Sequence, residues 1–408
     1  MAQEKRSNSQ CQAAIDAVAK HGTYVKAAEA LGLSEMTVQR SAKMGAARGL
    51  KVSPGVLDPN NVRHLLAQVK ELKADLAKAQ VTEVNHEIIL TKIIQLKTAV
   101  NQVEVPDWLV DPRAAISAPG VPTLECSDWH VGEVVKPSQI GDVNRYDMNI
   151  FRARARTLLS STVKLCRIVS PKMDYPGIVL PLVGDMVSGN IHEELARTNE
   201  LETMPVVVEL YGVLSWMIDE LLKEFPAIFL PCVTGNHGRD TKKIFAKDRH
   251  HTNFDWLLYS FLAKRYEGNK RVTFFIPDGS DAYYKVYNHR YLLSHGDQFR
   301  GGDGVIGPLG PIIRGDHRKR SRNAQVGMDY DTMVIGHFHQ YMNLTRLIVN
   351  GSLKGYDEYA YANNFPFEKP QQALWLTHPK YGITYRMPVY VDAERLIGKP
   401  KSWVSVMG

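Results

Sequence analysis

Asp128-Trp129-His130, Gly184-Asp185, Gly235-Asn236-His237, His295-Gly296 and Gly336-His337-Phe338-His339 follow one another through the chain. Carboxylate oxygens and imidazole nitrogens are donors that suit divalent cations such as manganese, iron and zinc. Two such cations a few ångströms apart, sharing one carboxylate, turn water into a nucleophile near neutral pH. They also neutralise charge on phosphoryl oxygens. Any one of these strings arises by chance, and a lone histidine is more often a satisfied surface or core residue. Five in order point to hydrolysis of a phosphate ester without a covalent enzyme intermediate.

The surrounding elements place them as such a site requires. Ile178-Val179-Leu180-Pro181-Leu182-Val183 ends at Gly184-Asp185, and Ala227-Ile228-Phe229-Leu230 leads towards Gly235-Asn236-His237. Tyr291-Leu292-Leu293-Ser294 runs into His295, and Thr332-Met333-Val334-Ile335 into Gly336-His337. Short apolar runs bounded by glycine read as buried strands. Polar residues at the carboxyl ends of strands in an α/β sheet are where ligands bind. Glycines 184, 235 and 336 fit tight strand-to-loop turns. Amphipathic stretches at about residues 150–169 and 206–225 fall between the strings as sheet-covering helices, which predicts a layered α/β fold. Further on, Leu374-Trp375-Leu376-Thr377 and Ile383-Thr384-Tyr385-Arg386 flank a turn-like Pro379-Lys380-Tyr381-Gly382, as in a hairpin.

On these strings, residues from about 120 to 345 resemble the calcineurin-like metallophosphoesterase superfamily, whose pattern is Asp-x-His, Gly-Asp, Gly-Asn-His, His and Gly-His-x-His. The resemblance implies a two-sheet β-sandwich flanked by helices. It implies that Asp128, His130 and His339 hold one metal, that Asn236, His295 and His337 hold the other, and that Asp185 bridges them. His237 would then face the substrate and protonate the leaving oxygen, a task suited to an imidazole. Two divalent ions are expected, Mn²⁺ first, with Fe²⁺ or Zn²⁺ fitting the same donors. The chain departs from the pattern twice. Gly238-Arg239-Asp240 follows the third string where many members carry an acid directly, so Asp240 is the candidate to orient His237. Met186-Val187-Ser188 follows Gly184-Asp185 where the protein serine/threonine phosphatases have Asp-Arg, which argues against that branch.

Length and composition suit an enzyme with an accessory part: 408 residues, 44% hydrophobic and 23% charged. No apolar run is long enough to span a bilayer and the polar start is unlike a signal peptide, so a cytoplasmic location is expected, in a bacterium or phage-infected host. Cys11, Cys126, Cys166 and Cys232 are scattered, which predicts neither a disulfide framework nor a zinc knuckle. Cys126 and Cys232 read as small core residues.

The net charge of +7 leans towards an anionic partner. Residues 8–48 sharpen this by reading as three short helices, near 12–20, 24–31 and 34–43. Between the last two, Gly32 is fit to take a positive φ and Ser34 to cap the next helix. The string from Ala27 to Arg40 resembles the helix-turn-helix modules of phage and bacterial DNA-binding proteins. In such a module the last helix enters the major groove, which would direct Thr37, Gln39, Arg40 and Lys43 at DNA, together with Glu35 and Met36. Gln39 and Arg40 suit base edges; Lys43 and Arg48 suit phosphates. A three-helix unit that binds protein is the competing reading. A linker at 49–61 follows. Leu65, Val69, Leu72 and Leu76 then form a coiled-coil seam over residues 62–80, through which the chain could dimerise or which could equally pack on its own catalytic domain. Residues 88–100 are apolar without a decisive period. The expected domains are thus 1–50 (helix-turn-helix), 51–112 (linker and helical segment) and 113–408 (phosphoesterase).

Substrate preference falls to the loops. Arg239 lies beside the third string. His317-Arg318-Lys319-Arg320-Ser321-Arg322 is a dense basic run, after glycine-rich residues 301–315, whose Arg318, Lys319, Arg320 and Arg322 could follow a phosphate backbone or simply face solvent. Lys242, Lys243, Lys247 and Arg249 form a second patch, with His250 and His251 beside it. His192 is weighed as a substrate contact and set aside. Tyr356, Tyr359, Tyr361 and Phe365 could stack bases, but clusters of this kind are more often core. The leading expectation is a Mn²⁺-dependent DNA nuclease, phage-like in architecture and closer to SbcD-type repair exonucleases than to protein phosphatases. One alternative is a phosphatase or nucleotide phosphodiesterase with a small substrate. Another is a DNA-binding or assembly protein with an inactive metal site.

Overall fold

The computed structural model describes residues 6–53, 106–110, 119–300 and 307–392. The chain forms two compact units, residues 1–95 and 96–408. The linker after residue 53, the 62–80 seam and the 88–100 stretch lie outside the described residues.

In the first unit, helices α1 (Asn8–His21), α2 (Tyr24–Leu31) and α3 (Glu35–Ala47) start and stop on local signals. Ser7 and Gln10 form a reciprocal capping box at the head of α1. Gly22 and Gly32 end α1 and α2 in the left-handed conformation. The Ser34 hydroxyl accepts from the Thr37 amide to open α3. Ala14, Ala17, Ala27, Ala28, Val38 and Ala42 make the shared core. Small side chains bring the helices close: a Cβ at Gly45 would stand 2.7 Å from Ile15 Cδ1.

The second unit opens with a helical turn, α4 (Asp107–Val110). Its strands are β1 (Val121–Leu124), β2 (Ile178–Val179), β3 (Ile228–Pro231), β4 (Val272–Phe275), β5 (Asp281–Val286), β6 (His289–Ser294), β7 (Thr332–Ile335), β8 (Met342–Leu344), β9 (Leu347–Val349), β10 (Gln371–His378) and β11 (Gly382–Tyr390). They build one sheet in the order β11-β10-β1-β2-β3-β4 and another in the order β5-β6-β7-β9-β8. In the first, β1 to β4 run parallel; in the second, β6, β7 and β9 do. Parallel strands align their carboxyl ends on one edge. Isolated bridges Cys126↔Leu182 and Leu182↔Cys232 carry the first ladder towards that edge, where the fully buried thiols fill small core positions as expected.

The two sheets face each other across a core that includes Val121, Val179, Phe229 and Trp375 from one and Tyr284, Tyr291, Leu293, Val334 and Ile348 from the other. Two long helices, α5 (Met148–Val169) and α7 (Thr203–Glu224), pack on the first sheet at β11 and β3. Phe151 and Leu158 are buried from α5; Leu210, Leu214, Met217 and Leu221 are buried from α7. A short helix, α6 (Glu193–Thr198), precedes α7, and α8 (Phe254–Arg265) packs beside it. Helix α9 (Leu309–Ala324) sets Ile312 against Leu292, Met333, Ile335 and Leu347 on the outer face of the second sheet. The fold is therefore the expected α/β two-sheet sandwich flanked by helices, and the β10–β11 hairpin forms where it was predicted.

Two expectations fail here. The 317–322 basic run lies on α9 rather than in a loop. The aromatics around the short helix α10 (Glu358–Ala362) are surface residues: Tyr359, Tyr361 and Phe365 are exposed, with 69%, 53% and 45% of their surface open. Tyr359 and Phe365 pair their rings with each other, and Asp357 caps the short helix that carries Tyr359 and Tyr361.

Candidate metal centre

The five strings occupy the loops at the carboxyl edges of the parallel strands. β1, β2 and β3 deliver Asp128 and His130, Asp185, and Asn236 and His237; β6 and β7 deliver His295, and His337 and His339. The chain turns sharply there. Asp128, His130, Asp185, His337 and His339 all adopt left-handed φ between 44° and 69°. Each costs roughly 1–2 kcal/mol in an L residue, so the packing around the loops must hold them. Glycine is required where backbone presses on a carboxylate. A Cβ at Gly235 would fall 2.1 Å from Asp185 Oδ1, and one at Gly336 would fall 2.3 Å from Asp128 Oδ2.

The donors converge. One atom each from Asp128, His130 and His339 lie within 4.8 Å of one another, and the same holds for Asp185, His295 and His337. Asp185 also groups with His130 and His237, so its carboxylate stands between the two sets. His130 Nε2 and His339 Nε2 are 2.9 Å apart, and His339 Nε2 is 3.6 Å from Asp128 Oδ1. Opposite them, His295 Nε2 is 3.0 Å from Asp185 Oδ2 and 3.2 Å from Asn236 Oδ1. Asp128, His130, Asp185 and His295 form a buried floor; Asn236, His237, His337 and His339 form a half-open rim.

Hydrogen bonds fix the donor atoms. His295 Nδ1 donates to the Val183 carbonyl at 2.8 Å, which turns Nε2 to the centre. Asp128 accepts from the His337 amide and from Ser127 Oγ. Asp185 Oδ1 accepts from the His237 amide at 2.7 Å. The electrostatics are those of a crowded, dry site. Burial pushes Asp128 up to about 7 and drops His337 and His339 to about 4 and 3. Burial also holds His130 well below the usual histidine range. At His295 burial opposes charge, yet the Asp185 and Asp128 carboxylates lift it to about 10. Asp185 is buried too, but His295 and His237 keep it well below the carboxylate range.

A divalent pair fits this donor set. His130 and His339 are neutral imidazoles facing each other, and two such rings share at most one N–H···N bond. His130 Nδ1 is buried and makes no hydrogen bond among the described residues. A cation would relieve that crowding with the oxygen and nitrogen ligands it prefers.

His237 is oriented differently from expectation. Its Nδ1 lies 2.9 Å from the Ser188 carbonyl, which takes the part foreseen for Asp240. The Asp240 backbone amide bonds the Thr252 carbonyl. Arg239 reaches back to the Asn236 carbonyl at 2.7 Å, on the rim. His192, set aside on sequence, stands with its ring 5.9 Å from that of His237.

Most of the basic run is committed elsewhere. Lys319 is buried on Asp281 at 2.6 Å, Arg322 bonds Asp281 and Tyr283, and Arg320 bonds Asp316 and the Tyr330 carbonyl. These pairings engage Lys319, Arg320 and Arg322 within the fold; of the four, only Arg318 is exposed without a pairing of this kind among the described residues. In the first unit, Gln39, Arg40 and Lys43 are exposed on α3. Thr37 is half-buried and accepts from the Ser34 hydroxyl, and Arg48 is tied to Asn8 and the Arg6 carbonyl, so both are already engaged.

Two residues that sequence reasoning passed over hold the centre together. Asp255, fully buried near the start of α8, accepts from the amides of Asp185, Met186 and Gly235. Lys354 is buried between Glu133 and Asp357, and Glu133 lies 3.9 Å from His130 Nδ1. The Asn253-Phe254-Asp255 capping pattern was the available signal for the first; nothing in the sequence marks the second.

No known family profile matches this chain, and no curated protein matches it. Solved structures similar to it include a conserved uncharacterized protein from Streptococcus pneumoniae TIGR4 described as a predicted phosphoesterase. That likeness has 10% identity, 64% of this chain and 84% of the other covered, and a TM-score of 0.24. Vps29 from Entamoeba histolytica, as a single mutant, is 12% identical over 66% of this chain and 99% of the other, with a TM-score of 0.26. Vacuolar protein sorting 29 from Cryptosporidium parvum is 12% identical over 66% and 98%, again with a TM-score of 0.26. At this level the chemistry has to be read from the chain's own side chains.

Proposed function

We propose that the second unit is a two-metal phosphoesterase of the calcineurin-like type and that its substrate is the phosphodiester backbone of DNA. The observation that carries this is the convergence of two three-donor sets on Asp185. Asp128, His130 and His339 would hold one divalent ion; Asn236, His295 and His337 the other; Asp185 both. Bound there, such ions supply Lewis-acid charge neutralisation and a water nucleophile near neutral pH.

The chain's own contribution is proton handling and placement. His237 Nδ1–H donates to the Ser188 carbonyl, which leaves Nε2 of this half-buried ring as the nitrogen able to take up and give a proton. Burial depresses His237, so the ring is neutral at rest. An anionic ester arriving beside it favours the protonated form, and the ring then gives that proton to the departing oxygen. Arg239, partly buried on the same rim, can pair with a non-bridging phosphate oxygen. The exposed Gln39, Arg40 and Lys43 of α3 support duplex DNA as the polymer recruited.

The test gives Mn²⁺-loaded protein labelled single- and double-stranded DNA and, in parallel, p-nitrophenyl phosphate and its bis ester. Cleavage of DNA and the bis ester is expected. Turnover of the monoester alone would replace the nuclease with a small-substrate phosphatase; DNA binding without any turnover would leave an assembly protein. His237→Ala should keep its metals and lose about 100-fold or more in rate. Unchanged turnover would remove His237 from the reaction.

A further inference from the structure

We propose that His250, His251 and Asp278 form a separate zinc-type site, which fastens the basic loop ahead of α8 to the end of β4. Among the described residues, the donor groups within 4.8 Å of one another are the overlapping sets around Asp185 and this one, which shares no residue with them.

The spacing admits an ion between buried His250 and exposed Asp278. His250 Nε2 and Asp278 Oδ1 are 3.7 Å apart, beyond hydrogen-bond length. Donors about 2.0–2.2 Å from a tetrahedral zinc lie about 3.4 Å from each other, close to that spacing. Two imidazoles and one carboxylate, with water on the fourth corner, suit zinc; calcium and magnesium demand oxygen ligands.

The backbone is shaped to bring consecutive histidines together. Asp248 takes a left-handed φ of 50°, and its carbonyl accepts from the His251 amide, closing a tight turn. The two rings consequently sit 3.9 Å apart, where neighbouring side chains on a strand would diverge. Trp256 braces the His251 ring at 5.0 Å, and His250 is only 6% exposed. On the other side of His250, Arg249 is anchored to Asp297 at 2.7 Å, two residues past His295.

The loop has cause to need a clasp. Residues 242–248 are exposed throughout, Ile244 and Phe245 included, so little apolar burial holds them. An ion at their carboxyl end would join this loop to the residues after β4 and fix the Lys242, Lys243 and Lys247 patch beside the Arg239 rim. Metal-ligand energy there substitutes for packing.

Metal stoichiometry tests the site without recourse to activity. After zinc loading and gel filtration, the native chain should retain three ions, and the His250→Ala, Asp278→Asn double variant two. A His251→Ala variant, checked for folding by circular dichroism, should match the double variant. Asp185→Asn with His130→Ala and His337→Ala, which breaks both sets of the catalytic pair, should still retain one. Zinc should also slow tryptic cleavage at Lys242, Lys243 and Lys247 in the native chain and not in the double variant. Two retained ions in both native chain and double variant would overturn this site and leave the catalytic pair standing. One ion in the native chain, lost in the double variant, would uphold this site and overturn the pair. Zinc that leaves on gel filtration would reduce the cluster to adventitious surface binding.

Discussion

At the scale of single residues, the proposed centre is a set of donors whose protonation is out of step. His337 and His339, brought by burial to about 4 and 3, are neutral at any working pH and ready to bind. Asp128, raised by burial to about 7, and His295, raised by Asp185 and Asp128 to about 10, hold protons when no cation is present. A cation must displace those protons, so affinity rises with pH and binding acidifies the solution. Calorimetry with Mn²⁺ at pH 6, repeated in buffers of different ionisation enthalpy, should show release of about one to two protons per chain. Affinity flat between pH 6 and pH 8, with no proton release, would mean the donors do not take the metal. The identities of the donors were legible in the sequence because ligand chemistry restricts residue type and the strings keep their order. Their left-handed backbone and the Ser188 acceptor were not, because both depend on which loops meet.

At the scale of elements, α8 does more than cover a sheet. Its first turn carries Asp255, whose carboxylate gathers the Asp185, Met186 and Gly235 amides from two loops that belong to different strands. Burial lifts Asp255 to about 6, while those amide donors pull the other way and favour the anion. Replacing it with alanine would strand the amides in a dry interior. Asp255→Ala should therefore cost about 3 kcal/mol or more in urea unfolding and weaken metal uptake along with it. A loss under about 1 kcal/mol, with metal retained, would show that the loops hold themselves. The strands and long helices were readable since apolar runs and period-3.6 stripes are local facts. The partners of the basic run were not legible for the converse reason. Alternation of charge says nothing of which acid waits across the interface, and Asp281, which takes up Lys319 and Arg322, is far off in the sequence. The aromatics near α10 fail on the same ground, as exposure is decided by the sandwich and not by residue type.

At the scale of the whole molecule, the proposed phosphoesterase site and a small three-helix unit share one chain, and the nuclease reading needs both to act on one polymer. The helices, the Gly32 turn and the Ser34 cap were all legible, because capping and left-handed glycine are written in single residues. What α3 recognises is not, since the same scaffold serves protein contacts. Charge gives the decisive experiment. Each cation withdrawn from the phosphates of duplex DNA lowers the slope of log affinity against log salt by about 0.9. Arg40→Ala with Lys43→Ala should therefore weaken duplex binding by about tenfold or more and flatten that slope by about one to two, while hydrolysis of the bis ester stays unchanged. Gln39→Ala should instead narrow the gap between preferred and random duplexes at constant slope, because a base-edge hydrogen bond carries sequence and little charge. Neither surface belongs to the metal centre, so bis-ester turnover serves as the internal control. If duplex affinity, slope and discrimination all survive these changes, α3 is a protein-binding face, and any DNA cleavage must depend on the rim around Arg239 alone.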